Sequence, residues 1–576
     1  MDIQRIVILI GLAVTAWLLL QAWQEDYGAA GSRPANAIQT PAPVERVGAD
    51  ASDRLSVPGI SAVPELVEST QTATSVAVDI PQAVPQLDTA GADSLASVSS
   101  TELITVRTGV HIAKIDLRGG DLVSVALPQH LVSLESQEPF VLVDPRNNYA
   151  AQSGLIGPSG IDGDERPLYS SSRRNYDMGD NESLRVELTH RQASGATIRK
   201  IFTFYNNDYL IDIDFEIDNA ASVDWRGAIF AQIRRDAQAP QIDESVGFAM
   251  QPYVGGAVYR ETEPYTKIEF EDIEEEPFKE KVGGGYAAMV QHYFVTAFVP
   301  RGKGEYTYQG RKLGDRDLYT LGFTGPLVVV PAGSAGSVSA QYYAGPKDQL
   351  RLEQITEGLD LTVDYGFLWW LAQPLFYLLN SLHEYVGNWG LAIILLTCIV
   401  KLVLYPLSAA GYRSMAKTRM LQPQMMQLKE RYGDDRQAFS QAMMDLYKKE
   451  GANPVGGCFP LLLQMPVFLA LYWALMESVE LRHAPFMLWI HDLSAMDPYF
   501  VLPILFGISM YLTTAMQPEP PDPMQAKVLK MMPVMFSFFF LWFPAGLVLY
   551  WLVNNILSVA QQFYVTKQIE RANASG

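Results

Sequence analysis

Long apolar runs in the C-terminal third of the chain limit its fold more than any other feature. The first, Trp389 to Leu407, makes roughly 28 Å of helix, enough to cross a bilayer. It contains one basic residue, Lys401. A charge at membrane depth costs ~2.5 to 3.5 kcal/mol and is a functional hypothesis by default. The pattern therefore predicts a membrane protein in which Lys401 faces protein, water or a partner.

Further apolar runs predict six transmembrane helices in all. One lies at the N-terminus, from Ile6 to Trp23 behind Arg5. It is either a secretory signal or an uncleaved anchor, and its length favours an anchor with a cytoplasmic N-terminus. The later candidates are Val455 to Met476, Tyr499 to Met516, Val528 to Phe543 and Ala545 to Val565.

The region before these spans predicts a tether and a β domain. No Phe, Trp or Tyr occurs between Tyr27 and Phe140, and a stretch so poor in large apolar residues is typical of a flexible tether. Period-two segments such as LRVELTHR and TIRKIFTFYNNDYLIDIDFEIDNA then predict strands. The expected fold class is an α+β membrane protein with a large antiparallel β-sandwich outside the cytoplasm.

Charge sets the expected orientation and limits the partners. Of the 43 basic and 63 acidic residues, 29 and 51 precede Trp389, a net charge of −22. Such an acidic region argues against nucleic-acid binding. The segment from Ala410 to Asn453 carries eight basic residues against five acids and is expected in the cytoplasm, as is the C-terminus.

The cytoplasmic segment shows two apolar stripes at helical spacing and predicts a helical hairpin. The stripes are Leu421, Met425, Leu428 and Tyr432, then Phe439, Met443, Leu446 and Tyr447. They are explained by packing within the hairpin. The basic outer face adds the hypothesis that the hairpin docks an anionic cytoplasmic partner.

Polar residues inside other spans predict what surrounds Lys401. We interpret Thr397, Gln464 and Lys401 as lining a polar hollow open to the cytoplasm, and Asn555 and Ser558 as hydrogen-bonding residues that hold helices together. The alternative for Lys401 is snorkelling, since it lies about 9 Å of helix before Leu407.

Other functional classes find less support. The chain has two cysteines, so it offers no disulfide scaffold and no four-cysteine zinc site, and it lacks a GxxxxGK[ST] phosphate loop. We expect no cofactor, no metal and no enzymatic activity. A secondary transporter with one intramembrane cationic site is the alternative function, although no internal repeat supports it.

Several long strings resemble the YidC membrane protein insertases of Gram-negative bacteria, of the YidC/Oxa/Alb family. They are NWGLAIILLTCIVKLVLYPL, SMAKTRMLQP, YGDDRQAFSQAMMDLYKKEGANPVGGCFPLLLQMPVFLALYWAL, ELRHAPFMLWIHDLSAMDPYFVLPIL, DPMQAK and FFFLWFPAGLVLYWLVNN. The resemblance covers essentially the whole chain. One departure is Lys401, where the family commonly has arginine. A point charge is therefore expected to suffice, without the forked donor geometry of a guanidinium.

The resemblance implies a fold, a function and site residues. It implies a five-helix core around a hydrophilic groove, an N-terminal anchor and a periplasmic super-sandwich similar to mutarotase folds. Such a protein integrates newly made proteins into the inner membrane, alone or with the Sec translocon, and meets ribosomes or targeting factors through its hairpin and tail. The expected groove residues are Lys401, Thr397, Gln464, Trp551 and Asn554, and the expected substrate slide is Leu462, Phe468, Phe506 and Phe539.

The domain boundaries expected from these arguments follow the chain in order. They are an anchor at 1–24, a periplasmic tether at 25–101, the β-sandwich at 102–358, a periplasmic interfacial amphipathic helix at 359–388, transmembrane helices at 389–409, 454–477, 498–516, 528–543 and 544–565, a cytoplasmic hairpin at 410–453, a periplasmic loop at 478–497, a cytoplasmic loop at 517–527 and a cytoplasmic tail at 566–576.

Overall fold

The structure is a computed structural model that describes a β domain followed by a set of helices. The described residues are 102–163, 165–238, 252–314, 317–433, 435–451, 459–517 and 523–574. The expected anchor at 1–24 and the expected tether at 25–101 both lie outside them. The chain combines β-sheets and α-helices, as the predicted α+β class requires.

The β domain consists of two sheets. Its strands are β1 (Leu103–Arg107), β2 (Ile112–Asp116), β3 (Asp121–Leu131), β4 (Pro139–Val143), β5 (Ala150–Ile156), β6 (Asn175–Asp177), β7 (Ser183–Arg191), β8 (Ala196–Tyr205), β9 (Asp208–Asn219), β10 (Trp225–Asp236), β11 (Gly255–Val258), β12 (Thr266–Ile268), β13 (Phe278–Gly283), β14 (Ala287–Val290), β15 (Phe294–Arg301), β16 (Glu305–Lys312), β17 (Leu318–Thr324), β18 (Val328–Val330) and β19 (Ser334–Pro346). One sheet runs β13-β16-β17-β10-β5-β3-β2-β1-β6, with β4 beside β3 and β18 beside β10. The other runs β12-β11-β14-β15-β19-β9-β8-β7.

The strand pairs are antiparallel, with one exception in the described part of the chain. That exception is β1 with β6, where Val106 faces Tyr176 in a parallel pair. The period-two pattern places alternate side chains on one face, so Ile104 and Val106 are buried in β1. Apolar residues of both sheets share one core, including Ile115 of the first sheet and Phe202 of the second. The two sheets therefore form a sandwich.

A buried polar contact also links the two sheets. The Lys200 side chain of β8 is fully buried, and its ammonium donates to the carbonyl oxygens of Ser153 at 2.8 Å and Gly119 at 3.1 Å. Ser153 lies in β5 of the other sheet. Because a buried cation is costly unless it is bonded, these carbonyls fix the sheets in one relative position.

The helices follow mainly after the β domain. They are α1 (Phe270–Glu275), α2 (Gln349–Ile355), α3 (Trp369–Val386), α4 (Trp389–Val403), α5 (Tyr405–Met420), α6 (Gln422–Tyr432), α7 (Arg436–Lys449), α8 (Phe459–Glu477), α9 (Val501–Ala515), α10 (Pro523–Phe539) and α11 (Ala545–Ala574), joined in places by short 3-10 turns at Asp360–Thr362, Gly366–Leu368, Val479–Leu481 and Phe540–Trp542. Buried residues of α4, α8, α9 and α11 share an apolar core.

The first long apolar run is bent rather than straight. Within the described ranges no single helix is both long and apolar enough to cross a membrane, whereas α4 and α5 qualify as a pair that bends by 68°. The break follows from Pro406 at the start of α5, which has no N–H to continue the helix. The six-span count stays a prediction.

Helices α6 and α7 pack against each other along the two predicted stripes. Leu421, Met425 and Tyr447 are buried together, and the Tyr447 hydroxyl lies 3.3 Å from the Met425 sulfur. The Asp435 carboxylate caps α7 by accepting from the backbone N–H of Gln437 and Ala438, each at 3.0 Å. The stripes therefore hold the hairpin together.

Candidate functional site

Lys401 lies where three helices meet. It occupies the last turn of α4, is half-buried, and donates from Nζ to Ser558 Oγ of α11 at 2.7 Å. The same ammonium donates to Gln464 Oε1 of α8 at 3.2 Å. Gln464 and Lys401, expected to line one hollow, are in direct contact. Ser558, expected to hold helices together by hydrogen bonding, also binds the lysine.

A second set of hydrogen bonds holds these partners in place. Gln464 Nε2 donates to Asn554 Oδ1, and the Ser558 hydroxyl donates to the Asn554 backbone oxygen at 2.7 Å. Asn554 and Ser558 are four residues apart and therefore share one face of α11. Both are buried. We call Lys401, Gln464, Asn554 and Ser558 the lysine network.

The network carries a positive charge without a compensating carboxylate. Lys401 forms no ion pair with any carboxylate side chain that the structure describes; its bonded partners are a neutral amide and a neutral hydroxyl. Neutral groups offset part of the desolvation of an ammonium but leave its field in place. The site is therefore suited to attract an anionic group.

Thr397 is separate from the lysine network. Its hydroxyl is buried and donates to the Ile393 carbonyl oxygen of its own helix at 2.7 Å. Threonine commonly satisfies its hydroxyl in this way when its neighbours are apolar. The structure thus gives Thr397 no bond to Lys401, although it lies one turn away on α4.

An aromatic cluster adjoins the network on α11. The Trp551 ring contacts Phe468 with centroids 4.4 Å apart and Phe506 with centroids 5.8 Å apart, both edge to face. Its indole N–H is buried and has no hydrogen-bond partner among the described atoms. Trp551 thus joins the expected groove residues to two residues of the expected slide.

The four expected slide residues differ in exposure. Phe506 is fully buried, Phe468 is half-buried, and Phe539 is 45% exposed on α10. The side chain of Leu462 lies outside the described residues. Of the three that are described, Phe539 is the most accessible to a passing apolar helix, while Phe506 supports the cluster from inside.

The loop between α8 and α9 covers the N-terminal ends of α4 and α11. Asn388 caps α4 and donates to the Phe486 carbonyl oxygen at 3.0 Å. The Phe486 ring lies so close to Gly390 that an added Cβ would approach it to 2.0 Å. On α11, the Gly546 N–H donates to the Leu493 carbonyl oxygen at 2.8 Å. The helix bundle is therefore closed at the end opposite Lys401.

Comparisons with known proteins identify the family. The family description "YidC periplasmic domain" matches residues 103–378, and "60Kd inner membrane protein" matches residues 381–572. A Cellvibrio japonicus protein named membrane protein insertase YidC is 54% identical over 504 residues, which cover 86% of this chain and 90% of that protein. The chain belongs to the YidC family.

Other YidC proteins match nearly end to end. An Azotobacter vinelandii protein with the same name is 47% identical over 584 residues, covering 99% of both chains. A solved structure described as an active YidC insertase with the first transmembrane domain resolved covers 80% of this chain and 92% of that chain, at 20% identity and a TM-score of 0.38. The resemblance inferred from the quoted strings is confirmed.

The sequence of this YidC-family chain did not predict two features of the site. It did not place Ser558 on Lys401, although the i, i+4 spacing from Asn554 was a usable signal. It also did not predict that Phe540 contacts Trp551, with ring centroids 5.4 Å apart. Contacts of this kind depend on how helices rotate against one another, which the sequence pattern specifies only coarsely.

Proposed function

We propose that this chain is an insertase that integrates newly made proteins into the bacterial inner membrane, alone or together with the Sec translocon. The observation that carries the proposal is the lysine network, in which a cation on α4 has neutral partners from two other helices. Family membership supports the same function, because the relatives are named membrane protein insertases.

The lysine network acts as the receiver for the polar segment of a client. A hydrated groove open to the cytoplasm accepts that segment, and Lys401 attracts its acidic residues. Moving an unpaired carboxylate to membrane depth costs ~2.5 to 3.5 kcal/mol, and a facing ammonium offsets part of that cost. Gln464, Asn554 and Trp551 supply groups that replace water around the segment.

Apolar burial supplies the free energy for the rest of the step. The client's apolar helix leaves along Phe468 and Phe539, with Leu462 and Phe506 as the other members of the slide. Each CH₂ group that enters lipid contributes ~0.8 kcal/mol, so a typical transmembrane helix needs no nucleotide hydrolysis. We infer no catalytic residues, no cofactor and no metal for this function.

The proposed topology places the closed end outside. In it the chain spans the inner membrane six times, both termini are cytoplasmic, and the β-sandwich is periplasmic. Helix α3 lies at the periplasmic interface, where exposed Trp369 and Trp370 suit the headgroup region. The α6–α7 hairpin and the C-terminal tail are the proposed contacts for ribosomes or targeting factors.

Reconstitution tests insertion against the transporter alternative. The purified chain is placed in liposomes and supplied with a short radiolabelled membrane protein that carries an acidic outer segment. We expect client that is protected from protease in one orientation and no flux of small solutes. Solute flux without protected client would reject insertion in favour of transport.

A further inference from the structure

The outer end of α8 is bound to the β-sandwich by a buried ion pair. Lys347 Nζ, just after β19, lies 2.6 Å from Glu477 Oε2, the last residue of α8. Their side chains are 2% and 9% exposed. Lys347 also donates to the Thr362 carbonyl oxygen at 3.2 Å. Among the described residues, this is the most deeply buried ion pair between the β domain and α8.

The position of Glu477 at the end of α8 makes its negative charge unfavourable unless another domain supplies a cation. The C-terminal end of a helix carries a partial negative charge, so a carboxylate there is unfavourable. Burial adds a desolvation cost that only a close cation offsets. The helix end therefore depends on Lys347, which belongs to the other domain.

A histidine binds the same helix end. His292 Nε2 lies 2.9 Å from the Met476 carbonyl oxygen, one of the last four carbonyls, which have no partner within the helix. Burial and the neighbouring Lys347 charge lower the pKa of His292 to about 3. The neutral ring therefore carries its proton on Nε2 and donates it to Met476. We call Lys347, Glu477, His292 and Met476 the junction.

The junction and the lysine network lie on one helix. Gln464, which accepts from Lys401, is thirteen residues before Glu477, or about 20 Å along α8. Pro466, two residues after Gln464, lacks the N–H that would bond to the carbonyl four residues earlier. Beyond it, Ala470 and Ala474 pack into a cluster with residues of α3, which supports the helix from the side.

We propose that the junction holds α8 in the position that places Gln464 beside Lys401. Lys347 and Glu477 are then positioning residues that never touch a client. A charged pair suits this role better than an apolar pair. An apolar pair often stabilises the fold as much, but it can pack in many relative positions, whereas an ion pair needs its two groups in close contact. The inference extends the proposed function, because the groove is what α8 positions.

The first measurement is a distance and does not depend on insertion. Spin labels are attached at Met465→Cys on α8 and Ile556→Cys on α11, both exposed positions, in a chain with Cys398→Ser and Cys458→Ser. We expect one narrow distance distribution in the labelled parent. Glu477→Gln should broaden or shift it, and the charge exchange Lys347→Glu with Glu477→Lys should restore it.

Two further variants keep the outcome decisive. Glu477→Gln alone leaves Lys347 buried without a counter-charge, and this could misfold the chain. The double variant Lys347→Met with Glu477→Gln removes both charges and avoids that cost. The matched control is Asp208→Asn, which breaks the Arg351–Asp208 pair of 2.6 Å within the β domain. A distribution that stays unchanged in both junction variants, or that changes equally in the control, would overturn the inference.

Insertion of an acidic client separates this inference from the proposed function. We expect Glu477→Gln to lower insertion several-fold, and the charge exchange to recover it. If the distance responds while insertion does not, the junction positions α8 but the groove mechanism is wrong. If the distance does not respond, the junction inference is wrong whatever insertion does.

Discussion

The ammonium nitrogen of Lys401 lies 2.7 Å from the hydroxyl oxygen of Ser558, a residue 157 positions away in the chain. The hydroxyl proton is directed to the Asn554 carbonyl oxygen, so a lone pair faces the lysine. Hydrogen bonds to charged groups contribute ~1.5 to 3 kcal/mol. This contact orients the charge without neutralising it.

Removing the Ser558 hydroxyl should weaken the site without unfolding the bundle. In Ser558→Ala, Lys401 keeps Gln464 as a partner but loses its shorter bond, so its position becomes less defined. We expect reduced insertion of clients with acidic outer segments, measured as protease-protected client in proteoliposomes. Asn555→Ala on the same helix is the control, and equal activity of the two variants would argue against the role of Ser558.

Introducing a carboxylate beside Lys401 should block the receiver. Gln464→Glu keeps the shape of the side chain and converts a neutral partner at 3.2 Å into a counter-charge. Because the ion pair cancels the field that attracts client acids, insertion of acidic clients should fall. The Asn554 amide, which now accepts from Gln464, must turn so that its NH₂ donates to the new carboxylate. A client with a neutral outer segment should be affected less, and an equal loss for both would contradict the electrostatic role.

A side chain at Gly390 should loosen the outer closure. The added Cβ of Gly390→Ala would lie 2.0 Å from the Phe486 ring, and overpacking of this kind costs ~1 to 3 kcal/mol. We expect a membrane-impermeant maleimide added outside to label Cys398 faster than in the parent. Gly163→Ala, whose Cβ meets nothing within 4 Å, is the control. Unchanged labelling would mean that Phe486 does not close the bundle.

The β-sandwich should lose stability in mild acid because of His111. Burial lowers its pKa to about 4, and its Nε2 lies 2.8 Å from the Ala344 carbonyl oxygen. The unfolded chain, with a histidine pKa of ~6.5, binds more protons between these values. The contribution of His111 to the free energy of unfolding is therefore complete above about pH 6.5 and falls by roughly 3 kcal/mol as pH drops to about 4. Denaturant unfolding at the two pH values, compared with His111→Gln, measures this slope; the same slope in both proteins would contradict the assignment.

Local patterns predicted the elements better than the contacts between them. Strand alternation and the hairpin stripes follow from periodicities of 2 and 3.6 residues, which act over neighbouring positions. The parallel pairing of β1 with β6 and the contact of Lys347 with Glu477 join distant segments that no local pattern relates. The bend before Pro406 has a local signal, a proline in an apolar run, although the length of that run predicts a single span.

The candidate site shows the same division. The sequence predicts Lys401 and Gln464 together because each is polar in an apolar span. Polar side chains in such spans hydrogen-bond to one another across helices, as these two do. Thr397 has a second solution, a bond to its own helix, and adopts it. The burial of Phe506 depends on the rotation of α9, which its apolar sequence leaves open because nearly every face is hydrophobic.

Insertion of one acidic client by three forms of the chain tests the role of the Lys401 charge most directly. Lys401→Arg keeps the positive charge and Lys401→Ala removes it. The measurement is the fraction of client protected in the correct orientation, at equal amounts of folded protein. We expect Lys401→Arg to insert the client as the parent does and Lys401→Ala to insert markedly less. Equal insertion by Lys401→Ala and the parent would contradict that role.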